Sequence, residues 1–237
     1  MSLTIIIPVF NEEDNLERIK TTFEEYAQQT KQKILVLFVN DGSTDSSLKI
    51  IENFALSSSL FRYISFDKNY GLSAAIKAGF DYATTTWVGY IDADLQTTPQ
   101  DFELFFPYMN DYDLITGVRT NRKDSFFKNL SSKFANKFRK VFTDDGMDDT
   151  GCPLKIIRTE KAKKIPMFNG LHRFLPAMIL LQNGKIIQIP VRHFPRTAGV
   201  SKFNVWNRLI GPLQDCFAYL WMKKKYINYN VKSKKIV

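Results

Sequence analysis

The sequence predicts an α/β fold, with a mostly parallel sheet flanked by helices and a C-terminal amphipathic helix after it. Short β-branched runs alternate with helical patterns through the first half, as a parallel sheet wrapped by helices requires. Each run ends in a polar cluster, which is where open parallel sheets place their ligands. No internal repeat and no Pro/Gly/Ser-rich linker divides the 237 residues, a length suited to one large domain with an appendage. The expected division is a globular portion over residues 1–204 and a helix with a basic tail over 205–237.

The strand-like runs come in order as LTIIIPVF from Leu3, ILVLFVN from Ile34, FRYISF from Phe61, WVGYI from Trp87 and DLITGV from Asp113. Helical stretches begin near Glu12, Thr44, Gly71 and Pro99, and the polar clusters NEEDN, DGSTD, DKNYG and DADLQTT follow the first four strands. If the strands are parallel, these clusters converge on one crevice. The second half is less regular. A basic, Phe-rich helix is expected from about Ser125 to Phe142, a further helix near Leu171 to Gln182, and a strand in KIIQIPVRHF. From Val205 onward the pattern is again that of an amphipathic helix, ending in KKKY before a polar terminus.

Hydrophobic residues at 44% and charged residues at 24% describe a folded chain rather than a disordered one. A net charge of +9 calls for an anionic partner: a nucleotide, a lipid phosphate, a membrane surface or a nucleic acid. Nucleic acid is the poorest fit, because RNA-binding sheets expose aromatic residues and these strands are aliphatic and flanked by helices. Cys152 and Cys216 are the only cysteines and lie too far apart in sequence for a metal knuckle, so a reducing compartment is expected. With His172 and His193 as the only histidines, a zinc site is not expected. The start MSLTIIIPVF lacks a basic region before its apolar run, and no apolar run reaches about eighteen residues. The expected location is therefore cytoplasmic.

Two aspartates, Asp92 and Asp94, close the WVGYI run one position apart. A strand surfacing into a polar loop is the plain explanation. The chemical one is that both carboxylates lean into the crevice, where a divalent cation removes their repulsion; hard oxygen ligands suit Mg²⁺ or Mn²⁺, and Gln96 offers a further oxygen. In IPVFNEEDNL, Asn11 is a good N-cap, and Glu12, Glu13 and Asp14 would fill a first helical turn where the macrodipole favours anions. That acidic turn repels phosphate, so the loop suits a base or a ribose. In NDGSTD, Gly42 permits a tight turn and Ser43 or Thr44 with Asp45 can cap the next helix. Asp41 is then left to accept hydrogen bonds from a base or from ribose hydroxyls.

The segments IPVFNEE, NDGSTD, NYGLSAAIKAG, DADLQTTP, GVR, DTGCPLKIIR and PRTAGVSKF, in that order, resemble the inverting family 2 glycosyltransferases of the GT-A fold, a Rossmann-like architecture. Within them the chain is most similar to the polyprenyl-phosphate glycosyltransferases, such as dolichol-phosphate mannosyltransferase and bactoprenol glucosyltransferase. The resemblance implies that Pro8, Asn11, Glu12 and Asp41 hold the nucleoside, that Asp92, Asp94 and Gln96 bind the metal on its diphosphate, and that the donor is a nucleotide-diphosphate sugar. The implied acceptor is a polyprenyl phosphate. A sugar hydroxyl must lose a proton to attack, whereas a phosphate monoester, with a second pKa of about 6, is already largely dianionic and needs only positioning by cations. Arg119, Arg122, Lys128 and the nearby donor Ser132 supply them. Lys128 stands where the family often has arginine, so Arg122 is an alternative in that role.

Asp149 in DDTGC is the candidate base if the acceptor is a glycan hydroxyl instead, with Asp94 a second candidate; a turn or cap duty for Asp149 is the structural alternative. Arg196, Ser201 and Lys202 sit on a glycine-containing loop suited to closing over the diphosphate. His172 and Arg173 in LHRFLP resemble a family segment near the acceptor. The Phe126 to Phe142 stretch gathers its apolar side chains within an arc of about 160°, with lysines and arginines over most of the rest. Packing on the sheet explains that arc as well as membrane contact does. Many relatives of this kind carry transmembrane helices after the catalytic domain, whereas here the basic helix and the tail are expected to rest on an anionic membrane surface or on a membrane partner protein.

Overall fold

The computed structural model of the protein describes residues 2–119, 142–195, 210–229 and 232–233. Over them the chain forms β1 (Ser2–Val9), α1 (Glu13–Gln29), β2 (Lys33–Asn40), α2 (Ser47–Ser57), β3 (Phe61–Ser65), α3 (Leu72–Tyr82) and β4 (Trp87–Tyr90). There follow β5 (Leu114–Arg119), β6 (Lys155–Arg158), α4 (Thr159–Lys163), α5 (Leu175–Leu181), β7 (Ile186–Val191) and α6 (Ile210–Lys225). The strands make one seven-stranded sheet of order β3-β2-β1-β4-β6-β5-β7. All neighbours run parallel except at β6, which is antiparallel to both β4 and β5.

Both sheet faces are covered, so the strands read as continuous apolar runs rather than alternating ones. On β1, Leu3, Ile5, Ile7 and Val9 point into a cluster with Leu16, Ile19 and Phe23 of α1 and Ile51 and Phe54 of α2. Ile6 points the other way, toward Ala75, Ile76 and Phe80 of α3 and the residues of α5 and α6. Each such fully buried side chain contributes about 1.5–3 kcal/mol. Cys216 and Tyr219 bring α6 into this second cluster, and Tyr219 stacks on Phe174 with ring centroids 5.6 Å apart.

Pro8 is compatible with a central strand because of where its neighbour stops. The Ile6 carbonyl accepts from Ile91 N, so even-numbered residues of β1 turn their backbone groups toward β4. Pairing with β4 ends at Ile6↔Tyr90, and the missing N–H of Pro8 falls beyond it.

The β6 strand is absent from the pattern expected of the sequence, and it decides how the second half meets the first. Running antiparallel, it presents its amino end at the edge where β4 and β5 finish, and Lys155 pairs with Tyr90 on one side and Thr116 on the other. The loop 149–154 is thereby brought to the same edge as Asp92.

Other expectations are corrected in detail. The stretch from Pro99 is 3₁₀ (Pro99–Leu104, then Phe106–Tyr108) rather than an α-helix. Pro107 has no N–H and its ring clashes with the carbonyl four residues back, so α-helical bonding cannot continue through it. The segment near Leu171 is likewise split into a 3₁₀ turn (Leu171–Phe174) and α5, which has Pro176 in its first turn. Asn11 does not cap α1. It lies at φ 52°, a left-handed conformation that asparagine tolerates, and Glu12 takes the cap position. The expected helix from Ser125 lies outside the described residues up to 141, and the 205–209 start of the tail helix lies outside them too.

Candidate active site

The carboxyl ends of β1, β2 and β4 meet at one edge, and hydrogen bonds between their loops fix the first wall. Asn11 N donates to Ser43 Oγ at 3.0 Å, and Asn11 Oδ1 accepts from Thr44 N at 2.8 Å. Asp45 caps both helices at once, taking Ser47 N of α2 on Oδ1 at 2.9 Å and Glu13 N of α1 on Oδ2 at 3.2 Å. Glu13 answers by accepting from Ser46 N at 2.9 Å. Cap exchange of this kind locks two helix starts together and leaves Asn11 and Glu12 at the rim between them.

Asp41 has more local duty than the sequence suggests. Its buried carboxylate accepts from Tyr70 N at 2.7 Å, Gly71 N at 2.9 Å and Asn69 Nδ2 at 3.0 Å, and so holds the 69–71 turn at the start of α3. Gly42, at φ 67°, lets this turn pass directly over it: a Cβ there would lie 2.2 Å from the Lys68 carbonyl carbon. Three of the roughly four acceptor positions of the Asp41 carboxylate are occupied, leaving one.

The acidic wall follows β4. Tyr90 OH donates to Asp92 Oδ1, and Asp94 Oδ1 accepts from Gln96 N at 3.1 Å. Leu95, between them, is held at φ 48°, a strained conformation for a branched residue, which turns the loop back on itself. A relay of side chains ties the two walls: Glu12 Oε2 accepts from Asn15 Nδ2 at 2.7 Å, Asn15 Oδ1 from Arg18 Nη2 at 3.3 Å, and Arg18 Nη2 also reaches the Asp94 carbonyl at 2.8 Å. Burial, with the Asp94 charge second, pushes the Asp92 pKa up to about 6.

Opposite stands a basic and acidic cluster from the second half. Arg119 at the end of β5 grips Asp149 with its fork, Nε to Oδ2 at 2.7 Å and Nη2 to Oδ1 at 2.8 Å. Beneath them Lys155, 2% exposed, donates from Nζ to the carbonyls of Cys152 and Thr150. Burial lowers the Lys155 pKa, which the charges of Asp149 and Asp92 oppose. Burial also raises the Cys152 thiol to about 11, so it is an inert packing group. His172 is half-buried beyond the α3 start, its Nδ1 2.8 Å from Ser73 Oγ, and removal of its ring from water, reinforced by Arg173, lowers its pKa to about 3.

The expected site residues Pro8, Asn11, Glu12, Asp41, Asp92, Asp94, Gln96, Arg119 and Asp149 are thus all carried by strand ends and loops of one sheet edge. Arg122, Lys128, Ser132, Arg196, Ser201 and Lys202 lie outside the described residues. Lys155, Tyr90, Arg18 and Ser73 were not found from sequence. Lys155 alone carried a signal, a lysine inside the otherwise apolar run PLKIIR.

The donors at Asp92 and Asp94 fit a small hard cation. Divalent charge relieves the Asp94 repulsion that adds to burial in raising the Asp92 pKa, and all donors are oxygens. The Gln96 Nε2 is turned to the Phe194 carbonyl at 3.4 Å, so only its oxygen end can serve a metal. Among the described residues no group of three or more His, Cys, Asp and Glu is arranged to hold an ion by itself, so most coordination positions would belong to water and substrate.

Comparison with known proteins gives one family and a consistent fold. The profile of Glycosyl transferase family 2 matches residues 4–166. The dodecaprenyl-phosphate galacturonate synthase of Rhizobium johnstonii is 31% identical over 215 residues, covering 86% of this chain and 62% of that protein. The chain thus spans less than two thirds of that relative's length. Among solved structures, mannosyl-3-phosphoglycerate synthase from Rubrobacter xylanophilus superposes with a TM-score of 0.70 at 13% identity, covering all of this chain and 79% of its own. A mannosyltransferase from Pyrobaculum calidifontis, in complex with GDP-mannose and Mn²⁺, gives 0.65 at 19% identity over 92% of this chain and 63% of its own. No helix among the described residues is long and apolar enough to cross a membrane.

Proposed function

The chain belongs to glycosyl transferase family 2, and on that premise we propose that it moves a sugar, with inversion, from a nucleotide-diphosphate donor to a polyprenyl phosphate at the cytoplasmic face of a membrane. The relative that makes dodecaprenyl-phosphate galacturonate supports the acceptor class. In this reading residues 1–204 form the transferase portion, and 205–237 the helix and tail that keep it peripherally at the membrane.

The observation that carries the choice of acceptor is the Arg119–Asp149 fork. Both oxygens of Asp149 accept charge-assisted hydrogen bonds from Arg119, so the residue read from the sequence as the candidate base is engaged in orienting an arginine. The fork uses the Nε and Nη2 edge of Arg119 and leaves Nη1 to donate to an anion. Such an arrangement suits an acceptor that arrives already charged. Arg119 aims the phosphate oxygen at the anomeric carbon, with Arg122, Lys128 and Ser132 completing its cradle. On the donor side, Pro8, Asn11 and Glu12 flank the nucleoside, and Asp41 shapes the pocket while its one remaining acceptor position meets ribose or base. Asp92, Asp94 and Gln96 would hold Mg²⁺ or Mn²⁺, which when bound neutralises charge on the departing diphosphate. Arg196, Ser201 and Lys202 add positive charge and a donor over the same group.

Product analysis with paired acceptors tests this. Purified protein, nucleotide sugar and Mn²⁺ are offered either a short polyprenyl phosphate or a glycan. The expected product is sugar-phosphate-prenol; sugar attached only to a glycan hydroxyl would transfer the assignment to polysaccharide synthesis.

A further inference from the structure

We propose that the outward face of α6 is a docking surface for an anionic lipid bilayer, with Phe217 and Trp221 entering the headgroup layer and Lys224 and Lys225 pairing with lipid charge. The helix divides cleanly. Cys216 and Tyr219 are buried at 2% and 1%, whereas Phe217 and Trp221, one turn apart, are 59% and 68% exposed. Phe217 meets Phe142 edge to face at 5.9 Å and still keeps most of its surface outside. At about 100° per residue, Trp221, Lys224 and Lys225 all fall within about 80° of Phe217, with Trp221 and Lys225 farthest from Cys216. The exposed apolar surface continues past the helix through Ile227 at 80% and Tyr229 at 77%. Asn228 Nδ2 reaches the Leu181 carbonyl at 3.5 Å, which lays that extension along the end of α5.

A large indole and a phenyl ring facing water, bordered by lysines, is costly in solution and favourable at a bilayer interface, where rings sit among headgroups and ammonium groups reach the phosphates. The occupant follows from charge: the chain carries +9 and the lysines Lys223, Lys224 and Lys225 end this helix, so an anionic leaflet is the complementary surface. The position is apt as well. Asp215 in the second turn of α6 pairs with Arg173 at 3.2 Å, His172 next to Arg173 bonds to Ser73, and α3 begins at the turn held by Asp41. A chain of direct contacts therefore joins the docking face to the rim of the crevice. The inference takes its biological sense from the lipid acceptor, but it is measured without turnover.

The test is sedimentation of the full chain with vesicles of phosphatidylcholine alone or with about one third phosphatidylglycerol. Binding is expected only with the anionic lipid, with a blue shift in emission that is lost in Trp221→Phe. Phe217→Ala/Trp221→Ala and Lys224→Glu/Lys225→Glu are each expected to weaken binding by more than tenfold, since one surface lysine alone is worth about fivefold. Unchanged unfolding midpoints certify that both variants fold. Absence of vesicle binding by the wild type, equal binding to both lipids, or full binding by either double variant overturns the proposal. If binding follows expectation while no sugar reaches any prenyl phosphate, the acceptor assignment fails and the docking surface stands.

Discussion

Arg119 and Asp149 lie side by side with two hydrogen bonds of 2.7 and 2.8 Å, both side chains largely shielded from water. A pair of this geometry makes each residue the other's positioning device. Arg119→Lys keeps the charge but loses the fork, and transfer is expected to fall by about 10²-fold, with unchanged nucleotide binding by calorimetry. Asp149→Asn is expected to raise the acceptor KM more than it lowers kcat and to leave the shape of the pH profile intact. A collapse of kcat with loss of the acidic limb would mark Asp149 as a base instead.

Asp92 and Asp94 are held close enough to repel. Asp92→Asn removes one charge while keeping an acceptor for Tyr90 OH, so the metal-free protein is expected to melt no lower than wild type and up to a few degrees higher. The same variant should lose the Mn²⁺-dependent part of UDP or GDP affinity. Chelation of the wild type should reproduce that loss, measured by calorimetry with and without Mn²⁺.

His172 is neutral at physiological pH because burial holds its pKa near 3. Ser73 Oγ already accepts from Gly170 N at 3.0 Å, and its hydroxyl is expected to donate to His172 Nδ1 and so to leave the ring proton on Nε2. The folded pKa lies below the unfolded value of about 6.5, so between the two the unfolded chain binds the extra proton. The contribution of His172 to stability is therefore complete above pH 6.5 and lost as pH falls toward 3, at up to about 1.4 kcal/mol per unit. Urea titrations at stepped pH would show it, and His172→Gln should flatten the slope. Nitrogen-15 spectra should show one imidazole fixed as the Nε2–H tautomer from pH 5 to 8.

Gly42 lies under the backbone of Lys68 and Asn69. In Gly42→Ala the new methyl meets main-chain atoms at 2.2 and 2.6 Å at a positive φ, so no side-chain movement relieves it. The strained conformation alone costs about 1–2 kcal/mol, and displacement of the 69–71 turn from Asp41 adds to it. Both a lower unfolding midpoint and loss of nucleotide binding are expected.

The sequence made the first half legible because its strands are long, apolar and each followed by a polar turn. Asp92 and Asp94 announced themselves as two acids at a strand end. What it hid depended on distant partners. Asp41 looked unoccupied because its donors lie 28 to 30 residues away. The Arg18 contact with Asp94 spans 76 residues. The four-residue β6 gives no period to read, and its reversed direction is dictated by the strands on either side. Lys155 was visible as a misfit in an apolar run, but its function as a tie for the 150–152 turn follows only once that run is a strand.

The reversed strand has a wider consequence. Because β6 is the one ladder between β4 and β5 among the described residues, the sheet is two blocks joined by one seam: β1 to β4 carry the loops assigned to the nucleoside and the metal, and β5 the one assigned to the lipid phosphate, while the loop after β7 returns to the diphosphate that any such donor shares. Loops can be exchanged within either block without disturbing the ladder of the other, so a scaffold of this design lends itself to altering what is given and what receives it one at a time.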